Sequence, residues 1–368
     1  MSTTSKKPKV AVIGIKGLPA FVGAGTVGEH LINMLKDEFD FYVYSVSSHT
    51  DLKSGEYNGV YQKVFPKLPF LKLNGFWYYF ISGLHARFFG KYDLIHLHNS
   101  FAAFTLFFLK PKYKVVITTH GSFIVREKWK NYAWFWTYNT NKLVKKADEV
   151  CCVSQDEKRK FKSNLNLDVT YIPNGIIPIE EKTLPEVEFK EPYIFFSAGR
   201  IIPSKGLHDL IKALHIINYK GKVLVTGDMK QMTSYSKEIE EMIGDLDIQF
   251  LGLIKEKAKL LAYMHNAQFL VFPSHIEAMS MVLLEAVSVS CPVVCSDIIE
   301  NKDIINEDEV LFFKTKDEKD LAEKIAFALE NKEEIKQRSI KAKERFLNEY
   351  SWKTISDKYR NIFREQLK

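Results

Sequence analysis

Short, wholly apolar runs alternate with longer amphipathic stretches along most of this 368-residue chain. In the first half the apolar runs predict strands at Lys9–Gly14, Phe41–Ser45, Leu94–His98, Val115–Thr119 and Glu149–Val153. Helical periodicity falls between them, near Thr26–Leu35, Gly75–Phe89, Phe101–Leu109 and Asn131–Lys146. Continuously apolar strands alternating with helices imply a parallel sheet covered on both faces. The second half repeats the plan. Strands are predicted at Tyr193–Ala198, Lys222–Thr226, Ile248–Leu251, Gln268–Phe272 and Pro292–Cys295, with helices near Leu207–Ile217, Lys255–His265, Met281–Ser288 and Lys316–Asn331. From Lys332 onward the pattern is helical, broken near Tyr350–Ser351.

Length divides this pattern into two domains, because a single core rarely grows past 250–300 residues. The polar, proline-flanked stretch 179–191 is the expected boundary. It gives an N-terminal domain of residues 1–180, a C-terminal domain of 181–350, and a last helix, 351–368, packing back on the first domain. Two doubly wound Rossmann-like domains facing across a cleft place ligands beyond the carboxyl ends of the strands.

Charge and composition narrow the picture. Residues 1–180 hold 24 Lys/Arg against 14 Asp/Glu, and residues 181–368 hold 28 against 31, so the net +7 is concentrated in the first half. A basic first half suits an acidic partner or an anionic membrane surface, or reflects solvated lysines. The longest apolar runs, such as Phe101–Leu109, fall short of the roughly 20 residues a spanning helix needs. Val10–Ile15 is too short for a signal-peptide core and is followed by Lys16. The expected location is cytoplasmic, with peripheral contact at the inner face of the plasma membrane. Cys151, Cys152, Cys291 and Cys295 show no C-x-x-C spacing and read as reduced core thiols. Trp129–Trp136 with Lys128 and Lys130 is the one aromatic and basic stretch suited to nucleic acid, and it reads as a packed helix; no nucleic-acid partner is expected.

The chemistry is sought just after the strands. Gly17, Gly23, Gly25 and Gly28 punctuate a loop entering a helix, where backbone can approach a ligand and free N–H groups attract oxygens. This is not a clean G-x-G-x-x-G; it reads as a ligand loop or a structural turn. His96 and His98 share one strand face and could form a metal pair, but no third ligand stands at clear spacing. His120-Gly121 ends the next strand and is either a sugar-facing or a structural histidine. Gly199-Arg200 and Lys205-Gly206 lie between a strand and a helix, where two cations and a helix N-terminus suit a diphosphate. Glu277 precedes Glu285 by eight residues, a separation of about 12 Å if wholly helical. Carboxylates accept hydrogen bonds from vicinal hydroxyls.

Taken in order, Gly23-Ala24-Gly25, His120-Gly121, Ala147-Asp148 with Val153-Ser154, Pro173-Asn174-Gly175, Gly199-Arg200 with Lys205-Gly206, Gly227-Asp228 and the E-x7-E pair resemble the family 4 glycosyltransferases, over nearly the whole chain. The resemblance implies the GT-B fold and a retaining, metal-independent transfer of a hexose or N-acetylhexosamine from a nucleotide-sugar, expected to be a UDP-sugar, with no cofactor. It implies that Arg200 and Lys205 bind the donor diphosphate, that Glu285 holds the ribose, and that Glu277 contacts the hexose. Ser280, Met281, Val282 and Leu283 would lie beside sugar and diphosphate, Gly23, Ala24 and Gly25 would close over the diphosphate, and His120 would face the donor sugar. The acceptor class it suggests is a glycan or lipid-linked sugar of the bacterial envelope. Departures are Ala278 and Ser280 where the family has a Gly-rich turn, Ile177 where an Asp is common, and CSDIIENKDII without the usual Gly pair. The competing readings are a non-hydrolysing sugar-nucleotide epimerase and an inactive sugar-nucleotide-binding subunit. Asp245-Leu-Asp247 has the spelling of a metal-binding D-x-D but precedes a strand and reads as a loop.

Overall fold

The computed structural model describes residues 6–20, 23–68, 74–123 and 133–368, with side chains in the helix at 133–144 only from residue 139 onward. The chain forms two compact units, residues 1–174 with 352–368, and residues 175–351.

In the first unit the strands are β1 (Lys9–Lys16), β2 (Asp40–Val46), β3 (Gly55–Tyr57), β4 (Val60–Phe65), β5 (Leu94–His98), β6 (Lys114–Thr119), β7 (Glu149–Cys152) and β8 (Thr170–Tyr171). They form one sheet in the order β3-β4-β2-β1-β5-β6-β7-β8. All pairings are parallel except β3 with β4. The helices are α1 (Ala24–Leu35), α2 (Asn74–Phe89), α3 (Leu106–Leu109), α4 (Ala133–Val144) and α5 (Gln155–Leu165). Ala11, Ile13, Ile95, Leu97, Val115 and Ile117 alternate along the central strands into one buried cluster on a single face of the sheet.

The second unit holds β9 (Tyr193–Arg200), β10 (Lys222–Asp228), β11 (Ile248–Gly252), β12 (Phe269–Phe272), β13 (Val293–Ser296) and β14 (Leu311–Phe313), with α6 (Leu207–Ile216), α7 (Thr233–Met242), α8 (Lys257–Asn266), α9 (Met281–Ser288), α10 (Ile299–Lys302), α11 (Glu318–Glu330) and α12 (Lys332–Glu349). Its six strands lie in the order β11-β10-β9-β12-β13-β14, all parallel. Renumbered within the unit this is 3-2-1-4-5-6, the doubly wound dinucleotide-fold order, and its direction reverses between β9 and β12.

Several details differ from the sequence reading. The chain changes unit at Asn174–Gly175, ahead of the 179–191 stretch. The Ile176 N–H donates to the Tyr350 carbonyl at 2.7 Å and Ile176 bridges Ser351, so backbone pairing ties 176 into the second unit. The last helix, α13 (Trp352–Gln366), lies in the first unit, the domain to which the sequence reading assigns it. There Phe363 meets Phe39 edge-on at 5.6 Å and Arg360 Nε donates to Glu38 Oε1 at 2.6 Å. The 101–109 helix is instead a 3-10 turn, Ser100–Thr105, running into α3. The β3–β4 hairpin was not predicted because its inward residue, the fully buried Gln62, is polar; it accepts from the Leu18 N–H at 2.8 Å and from Ser45 Oγ at 2.7 Å. Residues 124–132, with Trp129, lie outside the described residues, as do the side chains of 133–138.

All four cysteines are buried and unpaired. Burial raises the Cys152 and Cys291 thiols to about 12, so they are inert packing groups. Among the described residues no helix is long and apolar enough to cross a membrane.

Candidate active site

The second unit gathers its candidate residues where its sheet order reverses. β9 ends at Arg200, opposite Asp228 of β10. The chain then makes a 3-10 turn, Pro203–Lys205, and enters α6 through Gly206, a left-handed residue with φ +72°. A Cβ on Gly206 would stand 2.1 Å from the Pro273 carbonyl oxygen. Only glycine permits both that φ and that approach. The contact seats the start of α6 against the loop leaving β12, and the His275 N–H donates to the Ser204 carbonyl at 2.9 Å in the same seam.

This seam brings Lys205 to Glu277. Lys205 Nζ donates to Glu277 Oε1 at 2.5 Å, with the two side chains 22% and 11% exposed. The cation and the carboxylate thus come from the carboxyl ends of the two strands flanking the switch point, 72 residues apart in sequence. A charged pair so placed can bind a phosphate through the ammonium and a hydroxyl through the carboxylate.

Glu277 lies in the loop before α9, so the 12 Å estimate for a wholly helical Glu277–Glu285 offset does not apply. Glu285 is the fifth residue of α9; Lys257 Nζ, from α8, donates to its Oε1 at 2.5 Å. Burial raises its carboxyl pKa and Lys257 pulls it back. Ser280, where the resembled family has its Gly-rich turn, is the N-cap of α9: its hydroxyl accepts from the Leu283 N–H at 3.5 Å. Met281, Val282 and Leu283 form the first turn, where N–H groups precede the first intrahelical acceptor. The serine thus supplies a cap, which the helix requires, at a position where sequence comparison showed only a departure. Sequence reasoning assigned no part to Lys257, His275 or Asp209. A lysine in a charged helix and a histidine in a loop carry no signal until the fold pairs them.

In the first unit the switch point lies between β1 and β5. Gly23 is the left-handed N-cap of α1, with φ +61°, and Ala24 and Gly25 open the helix, two residues earlier than expected. Gly28 lies against β1: a Cβ there would stand 2.3 Å from Ile15 Cγ2 and 3.3 Å from the His98 ring. His96 and His98 do share a face of β5, with rings 4.1 Å apart, and His120 at the end of β6 stacks on His98 at 5.7 Å. His96 Nε2 is 2.8 Å from Thr118 Oγ1, whereas both His98 ring nitrogens and His120 Nε2 are buried with no hydrogen-bond partner among the described residues. Burial lowers His96 to about 3 and His120 to about 4, and His98 is also strongly lowered, so the cluster is neutral at pH 7. Among the described residues no third ligand joins His96 and His98 in a metal-holding group.

Asp245 and Asp247 lie ahead of β11 and are held by Lys220 at 2.6 Å and Lys222 at 2.8 Å. As expected of a loop, the D-x-D is occupied by surface ion pairs.

Two parallel-sheet α/β units in tandem, one with a cation–carboxylate pair at its switch point, are the plan of the GT-B fold. The comparisons agree. Residues 22–178 match the model for Glycosyltransferase Family 4 and residues 179–345 the model for Glycosyl transferases group 1. The chain thus carries both glycosyltransferase domains, of the family 4 type. It is 27% identical over 354 residues to an uncharacterised glycosyltransferase of Methanocaldococcus jannaschii, covering 92% of this chain and 93% of that one. It is 27% identical over 266 residues to the capsular polysaccharide biosynthesis glycosyltransferase CapM of Staphylococcus aureus, covering 64% and 68%. Among solved structures, sucrose-phosphate synthase from Thermosynechococcus elongatus superposes with a TM-score of 0.81 at 20% identity, over 98% of this chain and 99% of that one. Anabaena HepE in complex with UDP and glucose gives 0.75 at 16%, over 97% and 100%.

Proposed function

We propose that this glycosyltransferase moves a hexose or N-acetylhexosamine from a UDP-sugar to a glycan or lipid-linked acceptor in envelope polysaccharide synthesis, with retention of configuration and without a catalytic metal. The observation that carries the reading is the Lys205–Glu277 pair at the switch point of the second unit. Lys205, Arg200 and the first turn of α9 would oppose the negative charge that grows on a departing diphosphate. Such preorganised charge stabilisation is worth about 10²–10³ in rate per donor removed. Glu277 would take the hexose hydroxyls and Glu285 those of the ribose. No second carboxylate is placed as an attacking nucleophile in this reading; the departing phosphate accepts the acceptor's proton on the same face. The solved HepE complex with UDP and glucose and the similarity to a capsular enzyme support the donor and pathway.

The lipid-linked acceptor draws support from the first unit. Counted by unit, it carries 29 Lys/Arg against 15 Asp/Glu, the second 23 against 30, a sharper division than the halves of the chain show. Phe76, Phe88, Phe89 and Phe107 are exposed on α2 and α3, with Lys146 Nζ 4.1 Å from the Phe107 ring centroid. Aromatics beside lysines suit an anionic bilayer surface. The direct test is incubation of the protein with UDP-, GDP- and ADP-sugars and a lipid-linked acceptor in EDTA. Product carrying the sugar with its anomeric configuration kept, and released UDP, supports the proposal; product that needs no acceptor, or requires added metal, refutes it.

A further inference from the structure

We infer that His208, Asp209 and His275 form a binding site for a divalent transition metal of the zinc class, bracing the loop that carries Glu277. His208 and Asp209 are consecutive in the first turn of α6, and His275 comes from the loop after β12. Asp209 is 4% exposed and presents each carboxylate oxygen to a different imidazole. Oδ1 is 3.2 Å from His208 Nε2 and Oδ2 is 2.5 Å from His275 Nε2. The three ligand atoms lie within 4.8 Å of one another, and the two rings stand at 90° with centroids 5.5 Å apart. A tetrahedral zinc with bonds of about 2.0–2.1 Å needs ligand atoms about 3.3 Å apart. Oδ1 and His208 Nε2 already meet that spacing; to ligate, His275 would shift its ring proton to Nδ1 and exchange its 2.5 Å hydrogen bond to Oδ2 for the metal bond.

The surroundings favour a metal over a bare hydrogen-bond network. His208 Nδ1 is 2.7 Å from Tyr235 Oη; with the ring proton on Nδ1 and donated to that hydroxyl, Nε2 would present its lone pair to an ion beside Asp209. This is the outer hydrogen bond that ligating histidines ordinarily make. Besides the trio, the charges near His208 are Lys212 in α6, which is unfavourable to a cation, and Glu238 in α7, which offsets it. The side chains of His208 and His275 remain 19% and 14% exposed, so an ion can enter. Two imidazoles and one carboxylate suit zinc, cobalt or nickel, whereas magnesium and calcium prefer all-oxygen shells. Three protein ligands leave one position for water.

The site joins two segments that already touch. His275 stands two residues before Glu277, and His208 three after Lys205. An ion here would hold the turn and the loop together without touching the Lys205–Glu277 pair, so it is read through binding and stability. The inference does not depend on which sugar is transferred.

The test is titration of chelator-stripped protein with Zn²⁺ against a chromophoric chelator, and with Co²⁺ by visible absorption, with no sugar nucleotide present. The expected result is one tight Zn²⁺ per chain, a raised melting temperature with Zn²⁺ but not with Mg²⁺, and Co²⁺ bands of a low-coordinate site. His275→Gln retains a hydrogen-bonding partner for Asp209 and serves as the folded control; it and His208→Ala should each lose Zn²⁺ affinity by more than tenfold. Tyr235→Phe, which keeps every ligand, should lose about 10–100-fold. Absence of Zn²⁺ binding in the unmodified chain, or unchanged affinity in folded His275→Gln, overturns the proposal.

Discussion

The two units share a plan and differ in the charge at its centre. In each, a glycine-bearing turn follows the first strand and a helix begins beside the point where the strand order reverses. In the second unit that point holds an ion pair, Lys205 with Glu277. In the first it holds buried imidazoles kept neutral by desolvation. The net charges run the other way: the basic unit has the uncharged cluster, and the acidic unit has the lysine. Net charge therefore reports what a surface attracts, while the chemistry at the strand ends is set by which side chains a few close turns bring together. An ion pair suits phosphate and hydroxyl recognition; neutral imidazoles can donate or accept a hydrogen bond without the cost of burying a charge.

Removing the ion pair should break the contrast most strongly. Lys205→Ala and Glu277→Ala are each expected to lower turnover by at least about 10²–10³ in a sugar-transfer assay. The pair is largely buried, so removing one partner also strips the other of its compensation. Glu277→Gln, which leaves a neutral hydrogen-bonding group, is expected to lose the same activity with a smaller drop in melting temperature than Glu277→Ala. His120→Ala should lower turnover by about tenfold or more, by analogy with the resembled family and with the loss typical of a positioned proton-bearing group.

Next in size is a stability effect. Gly206→Ala would force a Cβ onto the Pro273 carbonyl at a positive φ, and should cost at least about 1–3 kcal/mol in chemical denaturation. Alanine at Gly23, which has open space around its Cβ, should cost less.

The first unit's histidines predict a pH dependence. Their folded pKa values lie below the ordinary 6.5, so below that pH the unfolded chain binds protons that the folded chain refuses. Stability is then complete above about pH 6.5 and falls as pH drops toward the folded values, by up to about 1.4 kcal/mol per pH unit for each histidine. Denaturant titrations from pH 7.5 to 5 check this, and His96→Gln should flatten the slope. The smallest effect is expected at the surface. Replacing Phe88 and Phe89 by serine should weaken binding to anionic vesicles at low salt, and neutral vesicles should bind neither form.

Much of the fold was legible because buried parallel strands read as continuous apolar runs. Leu94–His98 and Met281–Ser288 fall where periodicity puts them. What escaped was polar or local. The β3–β4 hairpin carries an Asn58-Gly59 turn, a recognised hairpin signal, but a fully buried Gln62 disguises the second strand. Helix α5 has few apolar residues and is set by the Ser154 cap and the left-handed Asn166. At the site, the strand-end position of Lys205 and Glu277 could be read from order along the chain. Their direct contact could not, because it depends on Gly206 meeting Pro273 across 67 positions of sequence. The Lys257 partner of Glu285 and the His208–Asp209–His275 cluster are likewise products of tertiary approach.

As a donor site, the Lys205–Glu277 pair would divide its tasks, with Lys205 taking phosphate and Glu277 the sugar. Calorimetric titration of UDP and of the matching UDP-sugar into the unmodified protein, Lys205→Ala and Glu277→Gln tests it most directly. Lys205→Ala is expected to lose at least about tenfold in affinity for both ligands. Glu277→Gln is expected to bind UDP normally and to lose only the added affinity for the sugar. Unchanged UDP affinity in Lys205→Ala, or an equal loss of both ligands in Glu277→Gln, would contradict it.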